Sequence, residues 1–282
     1  LHHHIGRQGG LWSGVLFWPY ASWDFFEYTF DPYAYDSFWP YPYPDLYQGI
    51  FADPASAAYA AMPATAIRPT DEPCGTAALA TWPVEQIAQR LKLTEAQRAA
   101  IDTLNDAANA ELGADMLSAS CNQALPETPL SRLEAMRVRL VAMLRGVESM
   151  RPLLARFYAL LTDGQKAQLN SPATGGAQCA EDLRVFPTLS QDRIVRELQT
   201  DAAQRVALRE LQHALMVARD MTQAPCTGDD RLTVVARLDR IEARLNAALR
   251  AMEVIEPAFT AFYGLLGDEQ KKRFNRIAAQ SG

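Results

Sequence analysis

Histidine is almost missing from this chain. Three of its four are the successive His2, His3 and His4, and the fourth, His213, stands alone. The body of the protein therefore has no second histidine with which to build Ser/His or Cys/His nucleophilic machinery. The terminal triplet reads as a tag remnant or an adventitious metal trap rather than a designed site. No CxxC pair, Glu-x-x-His pattern or glycine-rich phosphate loop occurs, so the usual zinc, di-metal and nucleotide signatures are absent. No catalytic, cofactor-binding or metal-binding residue is assigned, and the chain reads as a non-enzyme that needs no cofactor. Excess positive charge is lacking too. Residues 1–73 hold two basic and eight acidic groups, while residues 74–282 hold 25 of each. A neutral body has no basic stripe to displace counterions from nucleic acid. No apolar run approaches the ~20 residues of a membrane span, and the best candidate, Leu11–Tyr20, is cut by Pro19. The start at Leu1, with no initiator methionine, reads as a processed or trimmed end that is compatible with export.

What is present is a repeat. FYALLTDGQKAQLN at Phe157–Asn170 returns 105 residues later as FYGLLGDEQKKRFN at Phe262–Asn275, with eight of fourteen positions identical. Cys74 and Cys121 map onto Cys179 and Cys226 by the same offset. The pattern divides the chain into a leader (1–73) and two tandem units, 74–178 and 179–282.

Each unit reads as a helical hairpin. In the first, Val84, Ile87, Ala88 and Leu91 form a short amphipathic stretch after Pro83. Ala100, Ile101, Leu104, Ala107 and Ala108 then follow at spacings of three and four. Thr94 followed by Gln97 is a capping box, with Leu93 before it where a staple residue belongs. Asp201 and Gln204 take these places in the second unit. A longer stripe runs from Leu133 to Leu161 and again from Leu238 to Leu266, beyond a turn containing Pro126 and Pro129. Pro152 and Pro257 fall at matching points inside these long helices and are expected to kink them. A second capping box, Leu161, Thr162 and Gln165, closes the first unit; the second keeps Leu266 and Gln270 of it but has Gly267 for the threonine. The expected fold is all-α: two pseudo-symmetric hairpins, with almost no strand, behind a mostly irregular N-terminal segment. Capping a helix accounts for these Thr and Gln residues without any further role.

The two intact sequences LTEAQ (Leu93–Gln97) and LTDGQ (Leu161–Gln165), one at each end of a hairpin, resemble the LTxxQ family of small periplasmic helical proteins, which includes the Spy and CpxP stress proteins. The resemblance covers about 200 residues and leaves the leader outside. It implies export to the periplasm and ATP-independent binding of partly unfolded or envelope proteins on a curved helical surface. Spy-like proteins are single units that work as dimers, whereas this chain carries two.

Two features remain. Even, duplicated and widely spaced cysteines read as disulfides formed in an oxidising compartment. Pairing within each unit, Cys74–Cys121 and Cys179–Cys226, is preferred, and pairing of equivalents, Cys74–Cys179 and Cys121–Cys226, stays open. The leader packs 17 of the chain's 26 aromatics between Trp12 and Phe51, with five carboxylates and no Lys or Arg. Trp12, Trp18, Tyr20, Trp23, Phe25, Phe26, Trp39, Tyr41 and Tyr43 are the candidate partner-binding residues, because this much apolar surface must lie on something. The choices are the protein's own helices or a second copy, or a different protein. Membrane insertion is disfavoured by the acidic charge. Two functions follow: a chaperone-like binder, or a non-catalytic accessory subunit of a larger envelope assembly docked through the leader.

Overall fold

The computed structural model describes residues 84–121, 128–170, 191–222 and 233–278. Eight helices and no strand occur among them. The first unit contains α1 (Val84–Leu91), α2 (Glu95–Cys121), α3 (Pro129–Leu160) and α4 (Asp163–Leu169). The second contains α5 (Gln191–Leu198), α6 (Ala202–Thr222), α7 (Val234–Gly264) and α8 (Asp268–Ala278). The order short, long, long, short is thus repeated. The leader's aromatic residues, Cys74, Cys179, Cys226 and the side chain of Cys121 lie outside the described residues, so the proposed disulfides and the leader's partner do too.

Within each unit the long helices pack as an antiparallel hairpin, α2 against α3 and α6 against α7. The stripes seen in the sequence are the surfaces they bury. Leu133, Met136, Leu140, Met143, Val147, Met150, Leu154 and Phe157 line α3, and Leu238, Ile241, Leu245, Met252, Ile255, Phe259 and Phe262 line α7, all buried. The hairpins then join along α3 and α7. Arg151 on α3 reaches Asp239 on α7 at 2.6 Å, and Arg237 on α7 reaches the Leu169 carbonyl at the end of α4, the short helix that follows α3, at 3.1 Å. Early residues of one helix therefore face late residues of the other, and the two run antiparallel. A single core passes through both units.

Local chemistry sets the ends of the elements. Thr128 caps α3 in a box with Ser131, and Pro129 occupies the first turn, where its missing N–H costs nothing. Pro129 therefore starts the helix rather than belonging to the turn. Helices α3 and α7 continue through Pro152 and Pro257, both exposed. Each proline removes the hydrogen bond to the carbonyl four residues back, that of Glu148 or Glu253, and both of these residues are exposed to water. Helix α1 ends with Lys92 at φ 51° and α5 with Gln199 at φ 53°. The Leu93 N–H donates to the Ala88 carbonyl at 3.0 Å and the Thr200 N–H to that of Val195 at 3.4 Å, the six-to-one bond of a left-handed helix stop.

The second unit has the more aromatic core. Where the first has Leu154 and Leu169, it has Phe259 and Phe274, which join Phe262 and Tyr263 in edge-on contacts with centroids 5.6–6.2 Å apart. Phe274 is fully buried and pins α8 to α7. Phe274→Ala should cost about 3–5 kcal/mol, read as a lower urea midpoint. A loss below ~1 kcal/mol would show that α8 frays independently of the core.

Candidate functional site

The two LTxxQ segments of the first unit meet. Helix α2 starts where α3 ends because the hairpin is antiparallel, and α4 starts where α1 ends. Four helix termini therefore converge, each with backbone groups that no helix can satisfy. Gln97 and Gln165 satisfy them together. Their side-chain amides lie head to head: Gln97 Nε2 donates to Gln165 Oε1 at 3.0 Å, and Gln165 Nε2 donates to Gln97 Oε1 at 3.1 Å. The second hydrogen of each nitrogen goes to the end of a helix, Gln97 to the Leu160 carbonyl at 2.8 Å and Gln165 to the Leu91 carbonyl at 3.0 Å. Each oxygen accepts in addition from its own cap residue, the Thr94 N–H at 3.0 Å and the Thr162 N–H at 2.9 Å. Both amides thus use two donors and two acceptors, their full complement. The cap hydroxyls of Thr94 and Thr162 accept from the Gln97 and Gln165 N–H groups at 3.4 and 3.3 Å.

The second unit repeats the arrangement. Gln204 and Gln270 exchange hydrogen bonds at 2.8 and 3.0 Å and donate to the Leu265 and Leu198 carbonyls at 2.8 and 3.0 Å. The Asp201 and Gly267 N–H groups bond their oxygens at 3.1 and 2.9 Å. Asp201 Oδ1 accepts from the Gln204 N–H at 2.8 Å in place of a threonine hydroxyl. Gly267 has no side chain to do the same, so only half of that box survives. The glutamines therefore do more than cap a helix; they clamp both ends of the hairpin to each other. This was not visible in the sequence, because a capping box is a local pattern and the partner lies 68 residues away.

The other identities of the repeat also have physical roles. The Tyr158 hydroxyl receives a hydrogen bond from Asn170 Nδ2 at 3.0 Å, and Lys166 sits over the Tyr158 ring at 5.6 Å. The Tyr263 hydroxyl donates to Asn275 Oδ1 at 3.4 Å, and Lys271 lies over that ring at 5.5 Å. Phe157 and Phe262 are core, and Leu161 and Leu266 are buried with them. Two buried arginines were missed by the sequence reading. Arg132 is 1% exposed and Arg237 5%, and Arg237 closes the end of α4 through the Leu169 carbonyl. Burial pushes the Arg237 guanidinium below its ordinary pKa, opposed by the neighbouring Tyr158. Spacing places these arginines on the buried stripe, where side-chain type alone argues for a surface position.

Among the described residues no cluster of His, Cys, Asp and Glu could hold a metal ion, and no helix is long and apolar enough to cross a membrane. The exposed His213 stands on α6. The site is thus a structural clamp, present twice, in a tandem pair of helical hairpins. The model of the LTXXQ motif family protein matches residues 79–172 and again residues 188–278. The chain belongs to the LTXXQ motif family, as a tandem duplication. No curated protein sequence and no solved structure matches it with significance.

Two substitutions test the clamp. Glutamate serves a capping box as well as glutamine does, so a purely local cap predicts little effect of Gln97→Glu. In the clamp, a carboxylate would face the Leu160 carbonyl and Gln165 Oε1 with no hydrogen to donate, and the variant should lose about 2–4 kcal/mol at pH 7. The folded state would then favour the protonated acid and raise its pKa above the ordinary ~4.3. The stability should be retained below ~4.3 and lost as pH rises through the raised value. Urea unfolding of Gln97→Glu and the parent at pH 4 and pH 7 checks this; an equal loss at both values contradicts the clamp. The second substitution concerns Thr200, which stands where the first unit has Leu93. It is 5% exposed and its hydroxyl has no hydrogen-bond partner. Thr200→Val removes an unsatisfied buried group at constant shape and should stabilise by about 1 kcal/mol, seen as a higher melting temperature.

Proposed function

We propose that this protein is an exported, periplasmic Spy/CpxP-like chaperone-like protein that binds partly unfolded or envelope proteins reversibly and without ATP. Family membership supports the reading, since the family is generally periplasmic. One structural observation carries it further. The two units pack into one body, and large apolar side chains remain exposed on both: Val138 and Leu160 on the first; Val206, Met216, Met221 and Leu265 on the second. Leu160 and Leu265 occupy the same repeat position. Their carbonyls are held by the glutamine clamps while their side chains, 45% and 49% exposed, point to water. A folded monomer gains no stability from such placement. Single exposed apolar groups set among arginines and carboxylates suit weak, repeated contact with non-native chains, and thioether side chains such as Met216 adapt to varied partners.

The full chain at equimolar ratio should suppress light scattering from an aggregating, unrelated protein such as reduced α-lactalbumin, with no ATP present. The double variant Leu265→Ser and Met216→Ser should lose at least half of that suppression while keeping the parent's melting temperature. No suppression by the parent, together with recovery from native envelope of one stoichiometric partner, would instead favour the accessory-subunit reading.

A further inference from the structure

Helices α3 and α7 are aligned copies, position 129 of one matching 234 of the other. Their charges are mostly retained in sign: Arg132 matches Arg237, Glu134 matches Asp239, Arg145 matches Arg250 and Glu148 matches Glu253. The sign reverses at two positions. Arg137 becomes Glu242, and Arg151 becomes Glu256. These two positions face each other across the junction between the units. Arg151 Nε lies 3.7 Å from Glu242 Oε2, beside its 2.6 Å contact with Asp239. At the other end, Arg137 is bound to Glu134 on its own helix at 2.5 Å and stands in the field of Glu256, both of which raise its pKa. The pseudo-twofold relation requires this: it carries the pair formed by positions 151 and 242 onto positions 256 and 137.

The geometry points to a charge code that makes the two units of one chain each other's partner and rejects the equivalent unit of a second copy. Between unlike units the facing pairs are Arg151 with Glu242 and Arg137 with Glu256, attractive at both ends. Two first units would set Arg137 beside Arg151 twice, with Glu134, in the place of Asp239, offsetting part of that repulsion at each end. Two second units would set Glu242 against Glu256 twice, with Asp239 adding a further negative charge at each end. The buried parts of α3 and α7 are apolar in both copies and differ in side-chain size, as at Leu154 and Phe259, rather than in charge. Selectivity then rests on the flanking charges, as it does at the edge positions of coiled coils. A tandem chain needs such a device, because identical faces would also pair between chains and generate open assemblies.

The test uses full-length chains. Arg137→Glu with Arg151→Glu makes both units negative at the coded positions. Glu242→Arg with Glu256→Arg makes both positive. Each double variant alone should melt about 4–8 °C below the parent. Mixed at equal concentration in low salt, the two should form a species of twice the chain mass by light scattering, which neither variant nor the parent forms alone and which 1 M NaCl dissolves. The fourfold exchange, carrying all four substitutions, restores opposite signs and should return to a one-chain mass and to within about 2 °C of the parent's melting temperature. The proposal is overturned if the mixture stays at one-chain mass, or if the fourfold exchange melts no higher than the double variants.

Discussion

Four helix termini meet at one point in each unit, and a pair of primary amides, one buried and one half-buried, satisfies them. A helix end leaves N–H or C=O groups without partners, and burying them unpaired costs more than any single contact gains. A side-chain amide is the smallest group that both donates twice and accepts twice. Two of them, facing head to head, serve the N–H groups of two caps and the carbonyls that close two other helices. Aspartate or glutamate in these places could accept but not donate; serine or threonine would be too short to bridge. The hairpin's length, the left-handed stops at Lys92 and Gln199, and the position of the short helices all follow from bringing these termini into register.

The second unit shows which parts of the clamp are essential to its geometry. It has lost the leucine and threonine of its first motif, to Thr200 and Asp201, and the threonine of its second, to Gly267. The amide pair is nonetheless formed with the same set of partners. Threonine can be replaced by any residue whose backbone N–H reaches the glutamine oxygen, whereas both units keep both glutamines. Leu160 and Leu265 serve the clamp through their carbonyls alone, which leaves their side chains free to face water.

Duplication within one chain changes the problem that a single-unit helical hairpin solves. A homodimer needs one self-complementary face, whereas a fused pair has two faces that can diverge. In α3 and α7 the buried surfaces stayed apolar, with Phe259 in the place of Leu154, while two charges at their margins changed sign. The result is a body whose two halves share one core and leave apolar side chains exposed on each half. The same fusion places both clamps in one covalent chain, so each unit meets the other at a high effective concentration.

The periodic apolar stripes, the capping pattern and the duplicated fourteen-residue segment determine the helices, their approximate ends and the tandem organisation. These features are local or repeat within the sequence, and local chemistry is what a one-dimensional pattern records. Thr94 with Gln97 and Thr162 with Gln165 are legible as caps because both members of each box lie within one turn. Only the tertiary structure decided that Gln97 and Gln165 bind each other, since two amides in separate boxes carry no sign of mutual contact until an antiparallel hairpin brings them together. It alone placed Arg237 against the Leu169 carbonyl and Arg151 against Glu242, because the approach of α3 to α7 depends on the whole buried surface rather than on any pair of residues. Pro152 and Pro257 show the same division. Their position was plain in the sequence, while the outward placement that lets the helices continue through them is a property of the packed bundle.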